Sequence, residues 1–94
     1  MLYAFYALDA PDQMALRLQH RDAHRQRLAE LQNQGRLVLA GPFTPTTDAA
    51  IAGSLIVAEF ADEHAARSWL ANDPYQQAGV YQSVAIQPFL QVLP

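Results

Sequence analysis

The sequence contains no cysteine, which excludes disulfide bonds and thiolate metal sites. Basic residues are also few, six against nine acidic ones, and the formal net charge is −3. Proteins that bind a nucleic-acid backbone normally present a broad basic face, which this composition does not supply. Five of the six basic residues nevertheless lie between Arg17 and Arg36, and this local patch suits a small anion better than a duplex.

Long hydrophobic runs are lacking as well, and we expect no targeting segment. No stretch approaches the roughly 18 apolar residues of a membrane span, and no charged segment precedes the apolar run 2–8. We therefore expect a cytoplasmic protein. Its 94 residues, 51% hydrophobic and 16% charged, predict one globular domain over 1–94.

The known motifs for nucleotides, metals and nucleophilic serine are missing, so we expect no cofactor and no metal. His20 and His24 have a spacing that allows chelation on a helix, but the pair lacks carboxylate support. His20 and His64 are expected to be ordinary surface histidines.

The pattern of apolar runs and breakers predicts an α+β domain of order β-α-β-β-α-β, the ferredoxin-like fold with its four-stranded antiparallel sheet. Gly35 is expected to end the first helix, Asp62 to cap the second, and Gly41–Pro42 to close the second strand. Pro88 places the last strand at a sheet edge because proline lacks a backbone donor. The predicted strands are 2–8, 37–40, 51–60 and 84–92; the helices are 13–34 and 63–71, with one further turn at 76–80 and a loop at 44–50.

In the predicted fold the first and third strands are central, and each of them is apolar on both faces. In the first, Leu2, Tyr6 and Leu8 share one parity, while Tyr3 and Phe5 share the other. Two helices cover only one face of a sheet, so we expect a second copy to cover the other face in a homodimer. The alternative is a monomer that tolerates an exposed aromatic face.

The first helix carries an unusual inner stripe. Leu28 and Leu31 continue backwards at helical spacing through His24, Arg21 and Arg17, so the stripe changes from apolar to polar. Either this stripe faces a wet pocket, or the polar ends of these side chains reach solvent.

Two loop segments are further candidates. Asp73 before Pro74 is typical of a turn or helix cap, but its carboxylate could also serve a site. Gly41–Pro42–Phe43 is typical of a turn, although glycine also lets a ligand approach the backbone.

Taken together, these features resemble the YciI-like (YCII-related) family, and the resemblance covers essentially the whole chain. No single segment is specific, but their order agrees throughout. The matching residues are 2–7; Arg17, Arg21, His24 and Leu28; 35–37; 40–42; 58–60; 72–75; 78–81; and 84–89.

The resemblance implies a dimeric α+β barrel and a catalytic pair that falls here on His24 and Asp73. Some relatives remove HCl from hydroxylated aromatic rings, and another branch is associated with sigma factors. Its signature is only partly present here, as Gly41–Pro42–Phe43. Similar proteins often carry proline at the position of Asp22, which suggests that the main helix starts near residue 21. The loop 44–50 is also shorter than in close relatives.

With that helix start, His24 lies in a first turn, where the macrodipole favours neutral imidazole. Asp73 would orient the ring and Arg21 would hold an anionic substrate. The leading hypothesis is therefore an enzyme that acts as a lyase, dehydrochlorinase or isomerase on a small hydroxylated or carboxylated ring compound. The expected substrate-binding residues are Arg21, Tyr6, Gly41, Pro42, Phe43 and Tyr75. The alternatives are a non-catalytic metabolite-binding or regulatory module that uses the same pocket, and an accessory domain whose sheet pairs with another protein.

Overall fold

The computed structural model describes residues 1–44 and 50–94, so the predicted loop 44–50 lies almost wholly outside the described residues. Within the described part, no helix is long and apolar enough to cross a membrane. The elements are β1 (Leu2–Asp9), α1 (Met14–Asn33), β2 (Leu37–Phe43), β3 (Gly53–Glu59), α2 (Glu63–Ala71), α3 (Pro74–Gln77) and β4 (Tyr81–Phe89).

The four strands form one antiparallel sheet in the order β2-β3-β1-β4. This order confirms the predicted ferredoxin-like α+β architecture, with the first and third strands in the centre. β4 is an edge strand, as Pro88 requires, and Pro88 lies opposite Tyr3 of β1.

α1 is continuous from Met14 to Asn33. The expectation that it starts near residue 21 was wrong, because the segment contains neither glycine nor proline and Asp22 is exposed on its surface. Gly35 follows the helix with a φ of 71°, a left-handed conformation in which glycine avoids the cost of a side chain. Asp62 caps α2 as predicted, since its side chain accepts a hydrogen bond from Ala65 N at 2.8 Å.

The bounds of β1 and β3 differ from the prediction by one or two residues at an end, while β2 and β4 differ by three. β2 continues through Gly41–Pro42 to Phe43, because an edge strand needs partners on one side only and tolerates a proline. β4 covers 81–89 rather than 84–92, because Phe89 already pairs with Leu2, the first residue of β1.

The core lies between the sheet and helices α1 and α2. Phe5, only 1% exposed, packs edge-on against Phe60 and also contacts Trp69, with ring centroids 5.7 and 5.6 Å apart. Its cross-strand neighbours are Ile56 on β3 and Ile86 on β4, and both are buried.

The opposite face of the sheet is apolar and uncovered. Because side chains alternate along a strand, it carries the other parity of each strand. We call it the open sheet face; its apolar residues include Leu2, Tyr6, Leu8, Leu39, Phe43, Leu55 and Phe89. Tyr6 is 51% exposed and its ring packs against Phe43 at 4.9 Å.

Candidate functional site

A cavity of about 530 Å³ lies between α1 and the strands β2 and β3. We call it the α1–β2 cavity. One wall is apolar and comes from β2, and Ile56 and Tyr75 add apolar surface. α1 contributes three guanidinium groups, those of Arg17, Arg21 and Arg25, and none of the described lining residues is acidic. The cavity therefore favours a small anion with an apolar body.

The helix period explains which side chains of α1 face inward. Arg17, His24 and Leu31 are the buried residues of this helix, and each follows the previous one by seven positions, close to two turns. The predicted inner stripe is therefore present, and its polar part meets the α1–β2 cavity.

His24 contacts the carboxylate of Asp73, with Nδ1 3.0 Å from Oδ1 and 2.9 Å from Oδ2. The side chains of His24 and Asp73 are 7% and 1% exposed. A carboxylate only accepts hydrogen bonds, so the proton between them belongs to Nδ1, and in the neutral imidazole this leaves Nε2 as the acceptor nitrogen. No described residue bonds to Nε2, and His24 lines the cavity.

Asp73 also serves as the helix cap that its position before proline suggested. Its side chain accepts a hydrogen bond from Tyr75 N at 3.0 Å and so begins α3, in which Pro74 occupies the first turn. Arg27 Nη1 donates a further bond at 3.2 Å. The carboxylate of Asp73 thus caps α3 and also contacts His24.

The ring of Tyr75 stacks on the imidazole of His24, with centroids 4.0 Å apart and planes inclined by 17°. The guanidinium carbon of Arg17 lies 4.8 Å from the same ring. Burial raises the pKa of Tyr75, and the charge of Arg17 opposes only part of that effect. Tyr75 is therefore neutral, and its ring contacts both the imidazole of His24 and the guanidinium of Arg17.

Arg17 makes a buried ion pair with Asp9, which lies at the end of β1. Its Nε and Nη2 atoms donate to the two carboxylate oxygens at 2.5 and 2.9 Å, and Nη2 also donates to Ser54 Oγ at 2.9 Å. Burial alone lowers the pKa of Arg17, but the hydrogen bonds and charge of Asp9 outweigh it and leave that pKa above its ordinary value. Arg17 therefore stays charged although it is buried.

Asp9 and Ser54 were not among the predicted site residues. Asp9 follows an apolar strand, where it is also typical of a turn. Ser54 is a hydroxyl residue within the apolar strand β3 and shares a face with Ile56 and Ala58. The sequence could have indicated Ser54 only by its polar side chain, which has the same parity as the core-facing residues of the strand.

The structure brings together most of the predicted site residues. His24, Arg21, Gly41, Pro42 and Tyr75 line the α1–β2 cavity, and Asp73 lies behind His24. Arg21 is exposed and lies at the mouth.

Tyr6 and Phe43 lie elsewhere, on the open sheet face, because they have the parity opposite to the residues that face the helices. The expected macrodipole effect on His24 was wrong as well. His24 lies near the middle of the 20-residue α1, and the effect is confined to the terminal turns. Within residues 1–44 and 50–94, no three acidic or histidine side chains gather as metal ligands.

Comparison with known proteins gives matches over nearly the whole chain. Residues 1–90 match the profile of the YCII-related domain. The protein YciI of Escherichia coli O6:H1 is 44% identical over 98 aligned positions, which cover 98% of this chain and 99% of that protein. An uncharacterised protein of Haemophilus influenzae is 40% identical over 97 positions, with coverage of 98% and 99%.

Two solved structures share the architecture. 5-Chloro-2-hydroxyhydroquinone dehydrochlorinase from Burkholderia phenoliruptrix, in complex with 2,5-dihydroxybenzoquinone, has a TM-score of 0.86 at 22% identity and covers 96% of this chain and 94% of its own. A Pseudomonas aeruginosa protein has a TM-score of 0.54 at 10% identity, with coverage of 98% and 93%. At these identities the likeness shows the fold alone.

Proposed function

Since the chain belongs to the YCII-related family, as its sequence predicted, we propose that it is a small-molecule enzyme in which His24 acts as a general base. The observation that carries this proposal is the contact of His24 Nδ1 with the buried carboxylate of Asp73. That contact leaves Nε2 without a protein partner in the described part of the chain, in a cavity lined by arginines.

The Asp73 carboxylate gives the imidazole two properties that a base needs. It fixes the tautomer, so that Nε2 presents its lone pair, and it stabilises the imidazolium that forms when Nε2 takes a proton. The stacked ring of Tyr75 holds the plane of the imidazole in place at 4.0 Å. Orientation therefore comes from two sides.

The lining of the cavity indicates the substrate class. Arg21 and Arg25 at its wall attract an anion, while Leu37 and Ile56 provide apolar surface for a ring. A hydroxylated or carboxylated ring compound combines both features. The dehydrochlorinase with the same fold is named for a chlorinated hydroxyhydroquinone, which supports lyase chemistry of this type.

In a lyase reaction Nε2 of His24 accepts a proton from the substrate, and the imidazole becomes an imidazolium. The electron pair of the broken bond forms a new π bond in the ring, and the leaving group departs as an anion. The proton and the anion together account for the eliminated acid. Arg21 is in a position to neutralise the negative charge of the bound compound.

The open sheet face supports a homodimer as the working form. Tyr6, Leu8, Leu39 and Phe89 are each more than 40% exposed, and they belong to one continuous sheet. A second copy packed face to face would bury these side chains and form a dimeric barrel.

The first experiment is an NMR titration of the three histidines in the wild type and in Asp73→Asn. The expected result is that the imidazole signals of His24 alone respond to the substitution, because the carboxylate that contacts its Nδ1 is gone. His20 and His64 are internal controls. If His24 ignores the substitution, the base proposal fails.

A screen of small aromatic acids follows the titration. Turnover that His24→Ala abolishes supports the enzyme. Binding without turnover that survives His24→Ala instead favours a metabolite-binding or regulatory module that uses the same cavity.

A further inference from the structure

We propose that Arg17 and Ser54 form an inner subsite of the α1–β2 cavity, which binds an anionic oxygen of the ligand at a distance from His24. This inference rests on the proposed function and extends it, because it states that the ligand carries two polar ends. Both residues line the cavity, although each is only 4% exposed. They are therefore charged and polar groups at its buried end.

The guanidinium of Arg17 has donors to spare. Of its five N–H groups, Nε–H and the two on Nη2 are used by Asp9 and Ser54. Nη1 makes no hydrogen bond to any residue in 1–44 or 50–94, and the nearby hydroxyl of Tyr75 donates to the carbonyl of Arg17. Nη1 is not a buried atom, and Arg17 lines the cavity, so its two N–H groups are available to an acceptor that enters there.

Ser54 adds a second donor beside the first. Its Oγ accepts a hydrogen bond from Arg17 Nη2, so the hydroxyl can donate its proton to an acceptor in the cavity. The neighbouring hydroxyl of Tyr81 is buried and lacks a hydrogen bond within the described part of the chain. The subsite is therefore rich in donors and has few acceptors of its own.

The carboxylate of Asp9 does not prevent Arg17 from binding a second anion. Asp9 engages only the Nε–Nη2 edge of the guanidinium, and that bidentate contact fixes the plane of the group. Nη1 lies at the other end of the same rigid plane. Asp9 thus orients Arg17 and leaves one part of it available.

The separation from His24 indicates the shape of the ligand. Arg17 and His24 are seven residues apart on one helix face, so their backbones are separated by roughly 10 Å along the axis. The Tyr75 ring lies against both groups, with the imidazole centroid at 4.0 Å and the guanidinium carbon at 4.8 Å, and this keeps the two groups within about 9 Å of each other. This arrangement fits a planar ring with a carboxylate or phenolate at one end and the reacting group toward His24.

The test compares two probes of equal shape, 4-hydroxybenzoate and its uncharged amide, 4-hydroxybenzamide, by isothermal titration calorimetry. The wild type is expected to prefer the carboxylate by about tenfold or more, since hydrogen bonds to charged groups are the stronger ones. Ser54→Ala and the paired variant Asp9→Asn with Arg17→Gln are expected to reduce that preference to about threefold or less. Arg67→Gln removes an exposed arginine that pairs with Glu63 and is the matched control.

Two results would overturn the inference. One is a preference that survives in Ser54→Ala and in the paired variant but disappears in Arg21→Gln, which would place the anion at the mouth. The other is a wild type that binds neither probe at millimolar concentration. Ser54→Ala leaves the buried ion pair intact, so it remains informative if the paired variant fails to fold. The histidine titration uses no ligand and therefore tests the His24–Asp73 pair independently.

Discussion

The carboxylate of Asp73 accepts hydrogen bonds from three different groups, although it is only 1% exposed. Nδ1 of His24, Nη1 of Arg27 and the backbone N–H of Tyr75 all lie within 3.2 Å of its oxygens. Burying a carboxylate is unfavourable unless such donors replace its lost hydration. Asp73 is therefore a structural residue of the α1–α3 contact as well as the partner of His24.

Asp73→Asn is expected to lower the free energy of unfolding by roughly 2 to 4 kcal/mol, because it leaves Arg27 without its charged partner and weakens the cap. Urea denaturation at neutral pH measures the loss. Glu63→Gln is the control, since it breaks an exposed i,i+4 pair with Arg67 and should cost less than about 0.5 kcal/mol. Equal losses in the two variants would contradict this account.

Tyr81 makes the stability of the protein sensitive to alkaline pH. Burial raises its pKa well above the ordinary range, and the charge of Arg17 offsets only part of the rise. The unfolded chain ionises tyrosine near pH 10. Above that pH the unfolded state binds fewer protons than the folded state, so the free energy of unfolding falls as pH rises.

Tyr81→Phe is expected to reduce this fall in the free energy of unfolding at alkaline pH. Part of the fall should remain, because burial also raises the pKa of Tyr75. At pH 7 the variant should be as stable as the wild type or up to about 1 kcal/mol more stable, because the lost hydroxyl has no hydrogen bond to residues 1–44 or 50–94. Urea denaturation at neutral pH and near pH 10.5 measures both effects. Tyr6→Phe, at an exposed position, should leave the decline unchanged.

At the level of elements, α2 shows how a short helix is fixed by its first residue. Asp62 accepts a hydrogen bond from Ala65 N, and Ala66 and Trp69 of the helix pack on the core. Asp62→Ala is expected to lower the free energy of unfolding by about 1 kcal/mol, and Asp62→Asn should retain most of it. Thermal denaturation followed by circular dichroism compares the two variants. A cost as large for asparagine as for alanine would show that charge, rather than the cap, is what matters.

The boundaries of elements followed from sequence wherever a local signal sets them. Gly35 and Asp62 fixed two helix ends correctly, because capping depends on a few adjacent residues. The end of β4 could not be read locally, since it depends on where β1 begins. The start of α1 was misjudged at Asp22 by analogy with relatives, although the local helix formers from residue 14 onward predicted it well.

The site was predictable only in part for a similar reason. His24 and Asp73 were each candidates on sequence pattern, but their pairing came from the family resemblance, because their contact joins residues 49 positions apart. Asp9 and Ser54 meet Arg17 across 8 and 37 positions, and no motif records such pairs. Tyr6 and Phe43 were aromatic and close to the site in sequence, but strand alternation placed them on the far side of the sheet.

At the scale of the whole molecule, the open sheet face sets the expected assembly. Tyr6→Glu is expected to convert a dimer of twice 10.4 kDa into a monomer, because it places a charge in the centre of the proposed interface. Light scattering after size-exclusion chromatography at micromolar concentration measures the mass. Leu18→Glu is the matched control: Leu18 is 56% exposed but lies on α1, away from this face. A wild type that elutes as a monomer would remove the dimer proposal.

The close stacking of Tyr75 on His24 also has a spectroscopic consequence. A proton held above the face of an aromatic ring experiences its ring current and resonates upfield of its usual position. The imidazole protons of His24 lie against such a face at a centroid distance of 4.0 Å. In a proton spectrum of the unlabelled protein, the signals of His24 should therefore stand apart from those of His20 and His64, which makes the stacked ring a built-in label for the residue that matters most.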